Sequence, residues 1–220
     1  MYLELIETHA DGFIGDFSDQ AFDGVTVVMP ATDITQAVLA AQRMARFAGM
    51  PMRMVIVKDF IGQGFIKTVN AVSNRLRPEY LAYVAQDALA GKNWLVRAYQ
   101  QMTAENKSVC AFNEGRFLGN LAQFGLVKVA FTAQHYGEHN VFYDQYIKHR
   151  ADDELTLLAK LHNEFVFAKD ALLMEVDYSL QKNIHAPDLD LYKRRAVELN
   201  ARFASSDVEV SRLSPLKKPL

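Results

Sequence analysis

The sequence predicts an α/β fold with a mainly parallel central sheet flanked by helices. Three buried-strand runs, 25–29, 52–57 and 80–84, alternate with two amphipathic helical stretches in the first half of the chain. Strand–helix–strand units of this kind form right-handed crossovers, and successive crossovers build a parallel sheet. Half of the 220 residues are hydrophobic, which is enough for the core of one large domain.

The composition argues against several other classes of protein. A formal net charge of −2 gives no electrostatic reason to expect binding to nucleic acid. The one cysteine, Cys110, cannot form an internal disulfide and fits a reducing compartment. The start, MYLELIETHADGF, does not resemble a secretory signal, and no apolar run reaches the roughly 20 residues that span a bilayer. We therefore expect a cytoplasmic protein that binds no nucleic acid.

We expect one folded domain over residues 25–204. Residues 1–24 are interpreted as a lead-in with at most one short strand, because turn signals such as Asp11-Gly12 interrupt their apolar residues. Residues 205–220 end in the basic sequence SRLSPLKKPL and are expected to be flexible. The alternative for this tail is a peripheral contact with an anionic surface, at the inner face of the membrane.

The first predicted strand is VTVVM, residues 25–29, which is rich in β-branched residues. Thr32 or Asp33 can cap the helix that follows over about 34–48, because a side-chain oxygen there accepts a free backbone N–H group. Apolar residues recur in this helix at intervals of three and four. One face of the helix is therefore expected to pack on the sheet.

The second and third predicted strands continue the alternation. MRMVIV, residues 52–57, precedes a loop with two glycines and then a helix over about 65–76. YLAYV, residues 80–84, ends abruptly at a polar pair of residues. The small residues that follow, 88–91, predict a turn before the next helix.

Polar residues follow each of these three strands at the point where the strand ends. They are Thr32, Asp33, Asp59, Gln86 and Asp87. Ligands bind outside the carboxyl ends of strands in open α/β sheets, so we expect a shared site at this edge. A carboxylate there, such as that of Asp87, could hold a divalent cation that bridges to a phosphate. The alternative is that each acid only caps a helix or closes a turn.

The second half of the chain has weaker patterns. Residues 109–112 predict a strand, and 165–167 and 171–174 are further strand-like runs. Residues 131–145 combine aromatic and polar side chains and suit a substrate-recognition loop, with a core-packed hairpin as the alternative. The last predicted helix, 191–203, is highly charged and is expected to lie on the surface.

Three acidic residues, Asp152, Asp153 and Glu154, begin an amphipathic helix. Negative charge is favourable in a first helical turn because of the helix dipole, so the cluster has a purely structural explanation. The functional alternative is that one carboxylate faces the cleft as a general base. Its acidic neighbours would then raise its pKa towards neutrality.

Taken together, these segments resemble the family-2 inverting glycosyltransferases, which have the GT-A, nucleotide-diphospho-sugar transferase-like fold. YLAYVAQDALAGKNWL resembles the family segment with the metal-binding DxD motif, in which a small-residue turn leads to a tryptophan–leucine pair. VTVVMPATD and MRMVIVKD resemble the two strands that contact the nucleotide, and GFIKTVNAVSN the helix with a basic residue and an asparagine. RADDELTLLAK resembles the motif of the catalytic base, and FVFAKDALLMEVDY the strand near the family's metal-binding histidine. The match covers about residues 25–185.

The resemblance implies inverting transfer of a sugar from a UDP-, GDP- or dTDP-sugar to a saccharide or lipid-linked acceptor, in polysaccharide or glycoconjugate synthesis. It implies a Mg²⁺ or Mn²⁺ ion held by Asp87 and His185. It also implies that Asp152 is the base, with Asp153 as the close alternative. The donor-binding residues that it implies are Pro30, Ala31, Thr32, Asp33, Asp59, Lys67, Asn70, Gln86 and Asp87.

The chain departs from the family pattern at the DxD position, where it has Ala85-Gln86-Asp87. The first aspartate, which usually contacts ribose, is absent, and Glu175 stands near the usual position of the histidine. This departure leaves open a non-catalytic saccharide- or partner-binding module on a degenerate transferase fold. A nucleotidyltransferase is a further alternative, although PATDITQ lacks the glycine and lysine of a phosphate-binding loop.

Overall fold

The fold is described by a computed structural model for residues 2–9, 12–14, 17, 22–176 and 185–204. The predicted flexible tail, 205–220, lies outside the described residues. The strands within this part are β1 (Tyr2–His9), β2 (Gly12–Ile14), β3 (Val25–Ala31), β4 (Met52–Asp59), β5 (Tyr80–Tyr83), β6 (Ala88–Ala90), β7 (Val109–Asn113), β8 (Gly125–Lys128) and β9 (Phe165–Glu175). The helices are α1 (Ile34–Phe47), α2 (Phe65–Leu76), α3 (Trp94–Ala104), α4 (Val129–Tyr136), α5 (Ala151–Leu161) and α6 (Ala186–Ala204).

The strands form one mixed sheet in the order β2-β1-β4-β3-β5-β8-β7-β9-β6. β1, β4, β3 and β5 are parallel neighbours, as are β7 and β9, and β8 runs antiparallel between β5 and β7. The predicted α/β class with a mainly parallel, helix-flanked sheet is confirmed. The carboxyl ends of β1, β3, β4, β5, β7 and β9 therefore meet at one side of the sheet, called here the carboxyl edge.

Each face of the sheet carries its own hydrophobic core. β4 shows why its sequence is apolar without interruption: Met54 and Ile56 enter the core under α1 and α3, whereas Val55 and Val57 enter the core under α2, α4 and α5. The fully buried Trp94 ties α3 to α1, because its Nε1 donates to the Met44 carbonyl at 2.9 Å. No helix in the described part of the chain has the length and apolarity needed to cross a bilayer.

The lead-in contains more structure than the sequence predicted. β1 is eight residues long and pairs in parallel with β4 and antiparallel with β2. Two of its inward side chains are polar, so the sequence of β1 lacks the alternation of apolar and polar residues by which a strand is predicted. Both have partners: Glu4 forms a buried ion pair with Arg53, and the Thr8 hydroxyl donates to Asp59 Oδ1 at 3.0 Å. The expected single short strand is thus replaced by two strands of the main sheet.

The structure also corrects several predictions in the rest of the chain. Residues 88–91, predicted as a turn, contain β6, whose buried alanines pair with β9 because tertiary packing overrides the low strand propensity of alanine. Residues 131–145 are neither a loop throughout nor a hairpin, since α4 extends to Tyr136. The strand-like runs 165–167 and 171–174 belong to one strand with a register shift. The last helix begins at Ala186.

Candidate active site

The loops that follow β3 and β5 are joined at the carboxyl edge by the side chain of Gln86. Its Oε1 accepts hydrogen bonds from the backbone N–H groups of Thr32 at 2.8 Å and Asp33 at 3.0 Å. Its Nε2 donates to Gln36 Oε1 in α1 at 3.1 Å. Lys58, at the end of β4, donates to the Thr32 carbonyl. Gln86 thus holds the shape of this loop.

The loop itself presents few side chains to a ligand. Pro30 lies within β3 opposite Val57, and the side chain of Ala31 is buried. Asp33 caps α1, because its Oδ1 accepts from the Gln36 N–H at 3.0 Å, as the sequence predicted. Thr32 and Asp33 are exposed, so they are the residues of this loop that could touch a ligand.

Asp59 shapes the loop between β4 and α2. Its Oδ1 accepts from the Thr8 hydroxyl and from the Gln63 N–H at 3.1 Å, and its Oδ2 accepts from the Gly64 N–H at 2.8 Å. These bonds fix the residues that lead into α2. The turn-forming role that the sequence offered as the alternative is therefore present in the structure.

Lys67 and Asn70 are three residues apart in α2 and differ in exposure. Lys67 is exposed in the first turn. Asn70 is 5 % exposed, and its amide donates to the Phe142 carbonyl and accepts from the Val141 and Phe142 N–H groups, at 2.9, 3.0 and 2.9 Å. Its side chain holds the loop at residues 141–142, and we leave Asn70 out of the proposed ligand-binding residues.

Asp87 lies beside the end of β9. Its carbonyl accepts from the Val176 N–H at 3.1 Å, and the next residue, Ala88, pairs with Glu175. Glu175 is 5 % exposed and its Oε2 accepts from Gln123 Nε2 at 2.8 Å. A second acidic residue therefore lies one strand away from Asp87.

His185 is paired with Asp188 in the first turn of α6, with 3.0 Å between Nδ1 and Oδ2. The Asp188 carboxylate also accepts the N–H groups of residues 147–149. Burial disfavours the charged carboxylate, but these three donors outweigh it and lower the pKa of Asp188. Among the described residues, no group of three or more His, Cys, Asp or Glu side chains is arranged to hold a metal ion.

Asp152 and Asp153 have different surroundings at the start of α5. Burial raises the pKa of Asp152 to about 7, and the charge of Asp153 acts in the same direction, against backbone N–H groups and Arg150. Asp153 is paired with Arg150 at 3.1 Å. A carboxyl group that titrates near neutrality can accept a proton in a reaction at physiological pH. Asp152 is therefore better suited than Asp153 to act as a general base.

A chain of hydrogen bonds ties Asp152 to the end of β5. Thr156 donates to the Asp152 carbonyl at 2.7 Å and accepts from the Ala122 N–H at 3.0 Å. The Ala122 carbonyl accepts from the Tyr83 hydroxyl at 2.7 Å, and the charge of Asp152 adds to burial in raising the pKa of Tyr83. Asp152 is thus held near the carboxyl edge, on the face of the sheet covered by α5.

The sequence did not single out the residues that anchor this helix. Glu154 is fully buried, and Arg195 of α6 donates to both of its oxygens at 2.6 Å. The Tyr146 hydroxyl donates to Glu154 Oε2 at 2.7 Å, and the Arg195 guanidinium lies 3.5 Å from the ring centroid of Tyr143. One sequence signal was available: Arg195 is four residues before the buried Leu199, on the same face of α6.

The sequence matches no known family model and no curated protein. Solved structures with a similar fold include glycosyltransferases. S. aureus TarS 1–349 superimposes with a TM-score of 0.62 at 13 % identity, covering 85 % of this chain and 67 % of that chain. The same protein in complex with UDP-GlcNAc gives 0.60 at 14 % identity, covering 85 % and 68 %.

A second neighbour is the mannosyltransferase PcManGT from Pyrobaculum calidifontis in complex with GDP-Man and Mn²⁺. It gives a TM-score of 0.52 at 13 % identity, covering 84 % of this chain and 65 % of that chain. At this identity the likeness establishes the fold, which is that of GT-A glycosyltransferases.

Proposed function

We propose that the protein transfers a sugar, with inversion, from a nucleotide-diphosphate sugar to an acceptor hydroxyl in polysaccharide or glycoconjugate synthesis. The observation that carries the proposal is Asp152, a carboxyl group with a pKa of about 7 near the edge where the strand-end loops converge. The fold likeness supports it, since the similar structures include complexes with UDP, UDP-GlcNAc and GDP-Man.

The donor would bind across the loops after β3, β4 and β5. Thr32, Asp33 and Asp59 would line the nucleotide pocket, with Asp59 beside the base, and the exposed Lys67 could approach a phosphate. Gln86 would act as a positioning residue, because its amide is engaged by the loop that it holds.

A Mg²⁺ or Mn²⁺ ion would bind at this site as a partner of the diphosphate. Magnesium is commonly held by one or two carboxylates together with substrate phosphates, so a single Asp87 is a sufficient protein anchor. Nδ1 of His185 lies 3.0 Å from Asp188 Oδ2, so Nε2 would be the nitrogen left to bind a cation. When bound, such an ion neutralises negative charge on the leaving diphosphate.

Asp152 would accept the proton of the acceptor hydroxyl while the hydroxyl oxygen attacks the anomeric carbon. The bond from that carbon to the diphosphate breaks on the opposite side, which inverts the configuration. The proton remains on the Asp152 carboxyl group. Asp153 is less suited to this role because its charge is stabilised by Arg150.

Calorimetry with UDP-, GDP- and dTDP-sugars, with and without Mn²⁺, tests the proposal. At least one nucleotide sugar should bind, more tightly with Mn²⁺, and should be hydrolysed slowly without an acceptor. Asp87→Ala should remove the Mn²⁺-dependent gain in affinity, whereas Asp170→Ala, an exposed acid of β9, should keep it. A chain that binds no nucleotide would instead be a non-catalytic module. Affinity unchanged in Asp87→Ala would remove Asp87 from the metal site.

Substitution of Gln86 tests the positioning of the β3–α1 loop. Gln86→Met keeps the length of the side chain but cannot accept the two backbone N–H groups, so the donor KM should rise by about tenfold through loss of about 1.4 kcal/mol. Gln86→Glu keeps the acceptor and should leave the amide exchange rates of Thr32 and Asp33 close to those of the wild type, whereas Gln86→Met should accelerate them. Equal exchange rates in the two variants would show that Gln86 does not hold the loop.

A further inference from the structure

One face of α6 is directed at the start of α5. The residues of this face recur at intervals of four, three and four, which places them in one row along the helix. They are Asp188, Tyr192, Arg195 and Leu199. Arg195 binds Glu154 in the first turn of α5. Asp188, one of the least exposed residues of α6, binds the loop that leads into α5.

The Asp188 carboxylate accepts three consecutive backbone N–H groups. Its Oδ1 accepts from Ile147 at 2.9 Å, and its Oδ2 accepts from Lys148 and His149 at 2.8 Å each. Hydrogen bonds to an ionised carboxylate are stronger than those between neutral groups. Asp188 is 1 % exposed, so little water competes for these bonds. The backbone at residues 147–149 is therefore fixed from α6.

This backbone leads directly to the proposed base, since His149 is only three residues before Asp152. Between them, Arg150 has a φ of 74°, and its carbonyl accepts from the Glu154 N–H at 3.0 Å to begin α5. A left-handed conformation is uncommon for a residue other than glycine and persists where the surrounding structure holds it. Asp188 holds the backbone that enters this bend, and α5 leaves it.

The Asp152 backbone is thus fixed on both sides. Within α5, the Thr156 hydroxyl donates to the Asp152 carbonyl at 2.7 Å. Before α5, Asp188 fixes the residues that enter the helix. The titratable and charged groups around the Asp152 carboxyl group come from α5, β5 and α6. They are Arg150, Asp153, Tyr83 and Tyr192.

We propose that Asp188 is a positioning residue for the general base, because it fixes the entry into α5 and thereby the place of the Asp152 carboxylate. The proposal rests on the proposed function, in which Asp152 accepts the acceptor proton. Misplacement of a reacting group by about 1 Å can cost about 10²-fold in rate. Both oxygens of Asp188 are engaged by backbone N–H groups, so Asp188 acts through Asp152 and not by contact with a substrate.

Titration of the Asp152 carboxyl carbon by NMR, with ¹³C-labelled aspartate and no substrate, tests the proposal. Asp152→Asn identifies the signal. Asp188→Ala removes all three bonds and should admit water to the first turn of α5, so the midpoint should fall by about one pH unit. Asp188→Asn keeps one acceptor oxygen and should give a smaller shift. Because both variants remove the charge of Asp188, a difference between them reports the hydrogen bonds.

Two control variants isolate the contact with the loop. Asp190→Ala makes the same change at an exposed acid of α6, paired with Lys193 at 3.6 Å, and should leave the midpoint unchanged. His185→Asn removes the other partner of Asp188, whose Nδ1 lies 3.0 Å from Oδ2. It should also leave the midpoint of Asp152 as in the wild type. The same midpoint shift in His185→Asn as in Asp188→Ala would show that Asp188 acts through His185, and would overturn the proposal.

The transfer rate provides the second measurement, with a nucleotide sugar that the wild type binds. Asp188→Ala should lower kcat by about 10- to 100-fold, and the pH of half-maximal rate should move with the NMR midpoint. If both Asp188 variants keep the wild-type midpoint and lose only resistance to urea, Asp188 is purely structural and the proposal is wrong. A shifted midpoint in a chain that binds no nucleotide sugar would support the link from Asp188 to Asp152 and overturn the proposed function instead.

Discussion

Replacing Asp152 by asparagine should lower the rate of sugar transfer by about 10²–10⁴-fold, the usual contribution of a positioned base. Asparagine has the same shape but cannot accept the acceptor proton. Binding of the donor, measured by calorimetry, should persist. Asp153→Asn is the matched control, and it should have the smaller effect because Asp153 is paired with Arg150.

The pH dependence of the transfer rate is a second test of the assignment of Asp152 as the base. The base must be ionised, and burial raises the pKa of Asp152 to about 7. The rate should therefore rise with pH, reach half of its maximum near pH 7, and level off about one pH unit higher. At pH 6 it should be about tenfold below the plateau. A flat profile between pH 6 and 8, or near-full activity of the asparagine variant, would exclude Asp152 as the base.

The free energy of unfolding distinguishes a buried general base from an acid that only stabilises the start of a helix. The pKa of Asp152 is higher in the folded state than in the unfolded state, so the folded protein binds more protons between about pH 4 and 7. The contribution of Asp152 to the free energy of unfolding therefore falls as pH rises through this window. Asp152→Asn should stabilise the protein at pH 8, on the order of 2 kcal/mol for a partly exposed group. A purely dipole-stabilising Asp152 would give destabilisation instead.

The parallel core of the sheet could be predicted because its strands are apolar on both faces. β1 could not, because its polar residues Glu4 and Thr8 acquire partners 49 and 51 residues away, Arg53 and Asp59. Sequence periodicity reports only whether a side chain is apolar. A polar side chain that is satisfied by a distant partner therefore looks like a surface residue.

The same limit applies to the candidate site. That polar loops meet at the carboxyl edge follows from strand direction, which the alternation of strands and helices predicts. Which polar atoms are already engaged depends on tertiary contacts. Asn70 has partners 71 and 72 residues away, and Gln86 has partners 53 and 54 residues away. The resemblance therefore assigned ligand-binding roles to side chains, those of Asn70 and Gln86, that hold loops.

The buried pair of Glu154 and Arg195 should be the most sensitive point of the fold. Glu154 is fully buried and receives two hydrogen bonds from Arg195, so Arg195→Met leaves a charge without its cation. Breaking a buried pair in this way typically costs about 3–5 kcal/mol. The pair also connects α6 to α5, whose first turn contains Asp152, so the variant should weaken the site together with the fold. Urea denaturation at pH 7 measures the loss.

Two further variants separate the charge from other effects of the substitution. Arg194→Met makes the same change at the exposed neighbouring residue and should stay within about 0.5 kcal/mol of the wild type. Adding Glu154→Gln to Arg195→Met removes the unpaired charge but retains an acceptor for Tyr146, so the double variant should recover much of the lost stability. If Arg195→Met costs no more than Arg194→Met, the pair does not anchor α6. If the double variant recovers nothing, the loss comes from packing against Tyr143 and not from the buried charge.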